Sequence, residues 1–213
     1  MKTIAAFDFD GTLTNRDSLI PFLHWLFGRA ATFHLSLELP ALLACRLFSR
    51  TKAKERIFSR FFRGIPLEDL KRKGEMFARE KIPSLLSPEG REAIAWHQTR
   101  GHRCILISAS LDVYLQPWAA LQGFDVALTS SLECDLSGKI TGKLSGANCR
   151  DEEKVRRLIE WAGPKSSFEL YAYGNSSGDH ALLDVADHAF YRFGLFSANR
   201  PWKVWKSAGA RYS

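Results

Sequence analysis

Asp8 and Asp10 stand two residues apart directly after the apolar run of residues 3–7, and Gly11, which permits a sharp turn, follows them. In an extended segment residues two apart face the same side, so one ligand can meet both carboxylates, and one of them can give a proton and later take one. Far along the chain, Ser108 closes a second apolar run at residues 103–108, while Asn175 and Asp179 follow another at 168–173. In open α/β sheets, ligands bind beyond the carboxyl ends of the strands. All of these polar side chains occupy such ends and can converge although they lie far apart in sequence.

For them to meet, strands and helices must alternate. Residues 3–7, 103–108, 125–129 and 168–173 read as short buried strands, with 189–193 as a fifth. Helical stretches, among them the amphipathic 152–162, lie between them, which predicts the α/β class with an open parallel sheet. Residues 132–144 place turn formers around Ser137 and Gly138 between two alternating runs, which reads as a hairpin. Residues 16–96 read as helical: Leu19, Phe22, Leu23, Leu26 and Phe27 recur at helical spacing, as do Ile57, Phe58, Phe61 and Phe62. Within them, residues 33–39 alternate apolar and polar as a strand would, and are read as helix. The expected organisation is a core of residues 1–15 and 97–213, with a helical cap of residues 16–96 inserted after the first strand.

The run Asp8-Phe9-Asp10-Gly11-Thr12-Leu13-Thr14 resembles the DxDGTLT signature of the haloacid dehalogenase superfamily phosphatases. Ser108 is similar to the family's second motif, Lys154 in Asp151-Glu152-Glu153-Lys154-Val155 to its third, and Gly174-Asn175-Ser176-Ser177-Gly178-Asp179 to its fourth, usually GDxxxD. Lys139 and Lys143 compete with Lys154 for the third role. The resemblance covers almost the whole chain and looks closest to the phosphoserine-phosphatase-like branch, subfamily IB. Asn15-Arg16-Asp17-Ser18 and residues 54–64 (KERIFSRFFRG) are similar to a bacterial group that includes phosphatidylglycerophosphate phosphatases.

This resemblance implies a Rossmann-like core with a C1-type helical cap, and phosphomonoester hydrolysis through a phosphoaspartate. Asp8 would be the nucleophile, since an ionised carboxylate needs no separate base to attack phosphorus, and Asp10 the acid and base. Phe9, Ser108, Ala109 and Lys154 would hold the phosphoryl group. The Asp8 carboxylate, the Asp10 main-chain carbonyl, Asn175 and waters would hold magnesium, with Asp179 acting partly through water. Asn175 departs from the pattern, because an amide oxygen is a weaker partner for a hard cation than a carboxylate. That departure keeps open a weakly active protein that binds phosphorylated ligands, and a phosphotransferase remains the other alternative. Asp17, Arg56, Arg60 and Arg63 are the cap candidates for touching the rest of a small or lipid-linked substrate.

Composition narrows the partners. A net charge of +7 favours anionic ones: phosphorylated metabolites, nucleic acid or an acidic membrane surface. The cysteines Cys45, Cys104, Cys134 and Cys149 form no CxxC pair, so neither a zinc site nor a disulfide framework is suggested, and a reducing cytoplasm fits best. No signal peptide is read at the N-terminus. The apolar stretch 30–48 is interrupted by His34, Glu38, Pro40 and Arg46, and a central charge costs roughly 2.5–3.5 kcal/mol in a span, so peripheral membrane contact is the most it offers. The basic, aromatic run from Arg200 to Lys206 reads as a packed terminal segment and not as a nucleic-acid surface, and His97 and His102 read as surface residues. Oligomeric state is not legible.

Overall fold

Residues 4–7 are all apolar and all buried, which obliges β1 (Lys2–Phe7) to lie inside a sheet covered on both faces. The computed structural model describes residues 2–191 and places β1 there. β1 pairs in parallel with β2 (Arg103–Leu111) on one side and with β5 (Phe168–Gly174) on the other. With β3 (Val126–Cys134), β4 (Ile140–Ser145) and β6 (His188–Tyr191) the six-stranded order is β4-β3-β2-β1-β5-β6, parallel except for the β3–β4 hairpin. The expected third strand and the first arm of the expected hairpin are thus one continuous strand. β2 runs beyond Ser108 to Leu111, and its register against β3 shifts between Ile107 and Leu111, so Ser108 sits in the irregular part of the strand. The fifth expected strand begins at His188, and its residues 192 and 193, like the run from Arg200, lie outside the described residues.

Side chains alternate between the two faces of a strand, and β1 divides accordingly. Ala5 and Phe7 join a core with Leu106, with Ile94 of α5 (Pro88–Gln98) and with Trp118 of α6 (Asp112–Leu121). Ile4 and Ala6 join the opposite core, closed by Leu158 of α7 (Glu152–Ala162) and Leu182 of α8 (His180–Asp184). This puts helices on both faces and leaves the carboxyl ends of β1, β2 and β5 together at one edge.

Between β1 and α5 the chain forms α1 (Leu19–Phe27), α2 (Arg29–Phe48), α3 (Arg50–Phe61) and α4 (Leu67–Glu80). Residues 33–39 are helical despite their alternation, with Phe33 and Leu37 exposed one turn apart and Leu35 packed inward. The side chains of 39–48, most of the apolar stretch raised for membrane contact, lie outside the described residues, and no described helix is long and apolar enough to cross a membrane. The insert leaves and rejoins the core through paired connections: Asn15 N donates to Leu85 O at 3.1 Å, and Ser87 N to Leu13 O at 2.9 Å. α5 falls inside the range expected for the cap, yet it packs on β2 and the turn after β1.

The insert shares one apolar cluster with the core. Phe22 and Phe77 close on Tyr114 of α6 at ring separations of 4.8 and 5.6 Å. Where α4 meets the start of α6, a Cβ on Gly74 would lie 2.0 Å from Val113 O, so only glycine allows that approach. A second tie joins the α3–α4 loop to the hairpin, with Gly64 N donating to Ile140 O at 2.8 Å and Ile140 N to Ile65 O at 3.0 Å.

His97 is not a surface residue. It is fully buried, its Nε2 hydrogen-bonds the Tyr173 hydroxyl at 2.7 Å, and its Nδ1 lies 2.8 Å from His102 Nδ1. Burial, reinforced by His102 and Arg100, pushes its pKa down from 6.5 to about 3. The unfolded chain therefore takes up a proton that the folded chain refuses, and stability is lost as pH falls through that window, by up to about 1.4 kcal/mol per pH unit for this group. Urea unfolding between pH 6.5 and pH 4 should show this fall, and His97→Gln should flatten it; an identical slope in the variant contradicts the assignment.

Candidate active site

The turn after β1 is shaped by residues 9–14. Asp10 is extended (φ −72, ψ 116), Gly11 is left-handed (φ 73), and Thr14 closes the turn by donating from N and Oγ1 to Phe9 O, both at 3.1 Å. A Cβ on Gly11 would lie 2.1 Å from Asn175 Nδ2, so this glycine lets the β5 turn lie against the β1 turn. Asp8 N donates to Tyr173 O at 2.9 Å, continuing the β1–β5 ladder to the site.

Lys154 joins the two turns. Its Nζ donates to Asp8 Oδ1 at 2.7 Å and to Asp179 Oδ1 at 2.6 Å, and its side chain is only 2% exposed. Thr12 Oγ1 donates to the other Asp8 oxygen at 3.0 Å. Asp179 Oδ2 accepts from Asn175 N at 3.1 Å, Ser176 N at 2.9 Å and Ser176 Oγ at 2.9 Å, so both of its oxygens are engaged by protein donors. Asp179 thus holds Lys154 and the 175–176 turn. The helix that carries Lys154 starts at Asp151, which has φ 52 and donates from its N to Gly178 O at 2.8 Å. A non-glycine residue in that conformation costs on the order of 1–3 kcal/mol, so the start of α7 is held by its surroundings.

Asp10 is held from two sides. Ser18 N donates to Oδ1 at 2.7 Å and Ser110 Oγ donates to Oδ2. Ser108 Oγ accepts from Ser110 N at 3.2 Å, which leaves its own O–H free to turn toward the cavity.

Burial dominates the electrostatics. It raises Asp8 to about 6, with the Asp179 charge adding and Lys154 opposing. It raises Asp10 to about 7, with Asp17 adding and the Ser110 and Ser18 donors opposing. For Asp179, burial acts upward but the charge and hydrogen bond of Lys154 outweigh it, and the carboxyl stays below its usual value. Burial likewise acts against the charged form of Lys154, yet Asp8 and Asp179 keep its pKa raised.

Two buried carboxylates pushed toward protonation mark a shortage of positive charge at Asp8 and Asp10. A divalent cation would relieve it. The donors at hand are oxygens: the Asp8 carboxylate, the Asp10 carbonyl and the Asn175 amide, a set that a hard cation accepts. Among the described residues no three His, Cys, Asp or Glu side chains are grouped to share an ion, because an amide stands where a further acid would. The residues fit such an ion, with one charge fewer than an all-carboxylate set.

These groups open onto a cavity of ≈ 580 Å³. Asp8, Asp10, Ser108, Ala109, Lys154, Asn175 and Asp179 all line it, and so does Asp17. Phe9 turns its ring into the core against Trp118, 4.9 Å away, and can offer the site only its backbone. Arg56 and Arg60 do not reach the cavity: Arg56 pairs with Glu38 at 2.6 Å and Arg60 with His34 at 2.7 Å, while Arg63 is exposed. The cation that α3 presents is Lys54, which donates to Ala109 O at 2.7 Å. It escaped notice beside three arginines, but it stands one turn ahead of the buried Phe58, and that phase is the signal. Ser110, at the irregular end of β2, and Asn148 and Arg150, in the loop before α7, also line the site.

Comparison with known proteins gives the family and the fold. The sequence model of the haloacid dehalogenase-like hydrolases matches residues 5–184. Protein CicA of Caulobacter vibrioides is 36% identical over 191 residues, 89% of this chain and 85% of that protein. A histidinol-phosphatase of Neisseria meningitidis is 27% identical over 193 residues, 86% of each. A solved phosphoserine phosphatase holding an analogue of its phospho-aspartyl intermediate superposes with a TM-score of 0.60 at 16% identity, over 89% of this chain and 86% of that one, and so shares the fold.

Lys154→Met should leave Asp8 and Asp179 buried without their shared partner, costing about 3 kcal/mol of stability at pH 8 in a chelator. Asp8, already raised to about 6, would then take a proton still more readily, so the deficit should shrink as pH falls toward 5. Chemical denaturation at the two pH values checks this; a deficit that grows toward pH 5 contradicts it.

Proposed function

This chain belongs to the haloacid dehalogenase-like hydrolases, and on that premise we propose that it is a magnesium-dependent phosphomonoesterase working through a phosphorylated Asp8. The observation that carries the reading is the ammonium of Lys154 shared by Asp8 and Asp179 at the floor of a cavity into which Asp10 also opens. A carboxylate oxygen of Asp8 attacks phosphorus and the bond to the ester oxygen breaks. Asp10, whose carboxyl burial pushes toward its protonated form, gives its proton to the leaving oxygen. Water then attacks the phosphorus of the acyl phosphate, Asp10 takes the water's proton, and inorganic phosphate and Asp8 are released. Lys154, the Ser108 hydroxyl and the backbone at Phe9 and Ala109 would hold the phosphoryl oxygens. Magnesium on the Asp8 carboxylate, the Asp10 carbonyl and Asn175 would supply the positive charge that lets an anionic ester approach these acids.

The helical insert would choose the leaving group. It adds Leu19, Ile20, Ile57, Lys54 and Asp17 to the lining, a mixture suited to a small organic monoester with both apolar and charged parts. Histidinol-phosphatase and phosphoserine phosphatase among the similar proteins support esters of that kind. Asn175 favours a second reading, a protein that binds phosphorylated ligands and turns them over slowly.

Purified protein should release phosphate from small monoesters only with magnesium present, and Asp8→Asn should lower that release by about a thousandfold or more. No release at any magnesium concentration contradicts the phosphatase reading. Asn175→Asp should lower the magnesium concentration that gives half-maximal rate; an unchanged or higher requirement removes Asn175 from the metal site.

A further inference from the structure

We infer that Lys54 is the positioning residue through which the helical insert completes the phosphoryl-binding end of β2: its ammonium fixes the peptide between Ala109 and Ser110, and that peptide fixes the Ser108 hydroxyl. This rests on the phosphatase reading, in which Ser108 holds a phosphoryl oxygen.

β2 loses its ladder where it meets the site. The pairs with β1 run as far as Leu106, and the register against β3 shifts between Ile107 and Leu111. Residues 108–110 are thus without the pairing that fixes the rest of the strand, although Ser108 and Ser110 are buried. Backbone groups in such a place need partners from elsewhere. For Ala109 O the partner comes from the insert, since Lys54 Nζ donates to it at 2.7 Å. A charged donor makes this bond stronger than one between neutral groups.

A trans peptide unit is planar, with its C=O and N–H pointing opposite ways. Ala109 O and Ser110 N belong to one such unit. Lys54 holds the oxygen on one side, and on the other Ser110 N donates to Ser108 Oγ at 3.2 Å. Fixing the oxygen therefore aims the N–H. With one lone pair of Ser108 Oγ taken by that N–H, the Ser108 O–H is left to turn to the cavity. Without Lys54 the unit is free to rotate, and Ser108 Oγ loses the donor that orients it.

Lys54 is itself placed by contacts of α3 with the core. Thr51 Oγ1, one turn before it, accepts from Asn148 Nδ2 at 3.3 Å, and Glu55 Oε1, the next residue, accepts from Leu144 N at 3.1 Å. The position of the insert is thereby passed to Ser108 through one ammonium.

A direct contact of Lys54 with the leaving group would make its loss depend on that group, and a general loosening of the fold would add to the effect of any other variant. A role through Ser108 does neither. The test is kcat/KM for wild type, Lys54→Met, Ser108→Ala and the double variant on p-nitrophenyl phosphate and on glycerol 2-phosphate. Lys54→Met should lose about tenfold on both esters, less than the loss of a donor that touches the transition state itself. In the Ser108→Ala background the same change should cost less than about threefold, because the two residues act as one unit. Lys54→Arg, which keeps a charged donor, should stay within about threefold of wild type. If Lys54→Met does not fold, Lys54→Gln, whose side chain is one bond shorter than lysine, takes its place. A loss confined to one ester, an undiminished loss in the Ser108→Ala background, or Lys54→Arg as slow as Lys54→Met overturns the inference. Wild-type release from neither ester overturns the phosphatase reading, and the same four proteins are then compared by calorimetry for the Kd of inorganic phosphate with magnesium. The same non-additive pattern there upholds the role of Lys54; additive losses, or no phosphate binding by wild type, overturn it.

Discussion

The ammonium of Lys154 lies within 2.7 Å of Asp8 and 2.6 Å of Asp179, almost out of reach of water, and the rest of the site is arranged around that three-group contact. Taking an ammonium out of water costs several kcal/mol, which two carboxylates and good geometry must offset. Two carboxylates so close would in turn repel each other without the cation. Each group therefore requires the other two, and each arrives on a different element: Asp8 from β1, Asp179 from the turn after β5, Lys154 from α7. The parallel β1–β5 register sets the first two side by side, and the strained start of α7 at Asp151, tied to Gly178, sets the third. What the contact leaves unbalanced is negative charge at Asp8 and Asp10, which a bound cation would offset.

The helical insert is built into the core and does not merely rest on it. Phe22, Phe77 and Tyr114 are one aromatic cluster, Gly74 lets α4 touch α6 backbone to backbone, and the α3–α4 loop pairs with the β-hairpin. The cavity lies where these contacts stop, between α3 and the ends of β1 and β2. Its lining is divided accordingly, with Asp8, Asp10, Ser108 and Lys154 on the core side and Leu19, Ile20, Lys54 and Ile57 on the insert side. Ser18 belongs to the connection and grips Asp10 itself.

Much of this was legible in the sequence because strand ends and helix faces have fixed periods. The runs at 3–7, 103–108 and 168–173 are buried on both faces, so their apolar character is continuous, and the polar residues just after them had to share one edge of the sheet. The Asp8 to Thr14 string was readable because it resembles the DxDGTLT signature, and the structure shows Gly11 within it to be needed where two turns touch. Features set by tertiary contacts were not. Choosing Lys154 over Lys139 and Lys143 took the motif order, because all three are lysines near an element boundary. Arg56 and Arg60 drew attention by charge, but helical phase carries them outward to Glu38 and His34, and Lys54 inward above Phe58. His97 looked like a surface residue because the apolar shelf over it, Phe7 and Tyr173, comes from strands far away in the chain. The alternation of residues 33–39 suggested a strand only because α2 exposes Phe33 and Leu37.

The central claim is that Asp8 carries the phosphoryl group between two half-reactions. The direct measurement is to quench the protein in acid during turnover of a phosphomonoester with magnesium, digest it and map any added phosphoryl group by mass spectrometry. The account predicts one such group on the peptide containing Asp8, absent in Asp8→Asn and lost on brief exposure to base. Turnover with no phosphorylated peptide, or with the group on another residue, would contradict it.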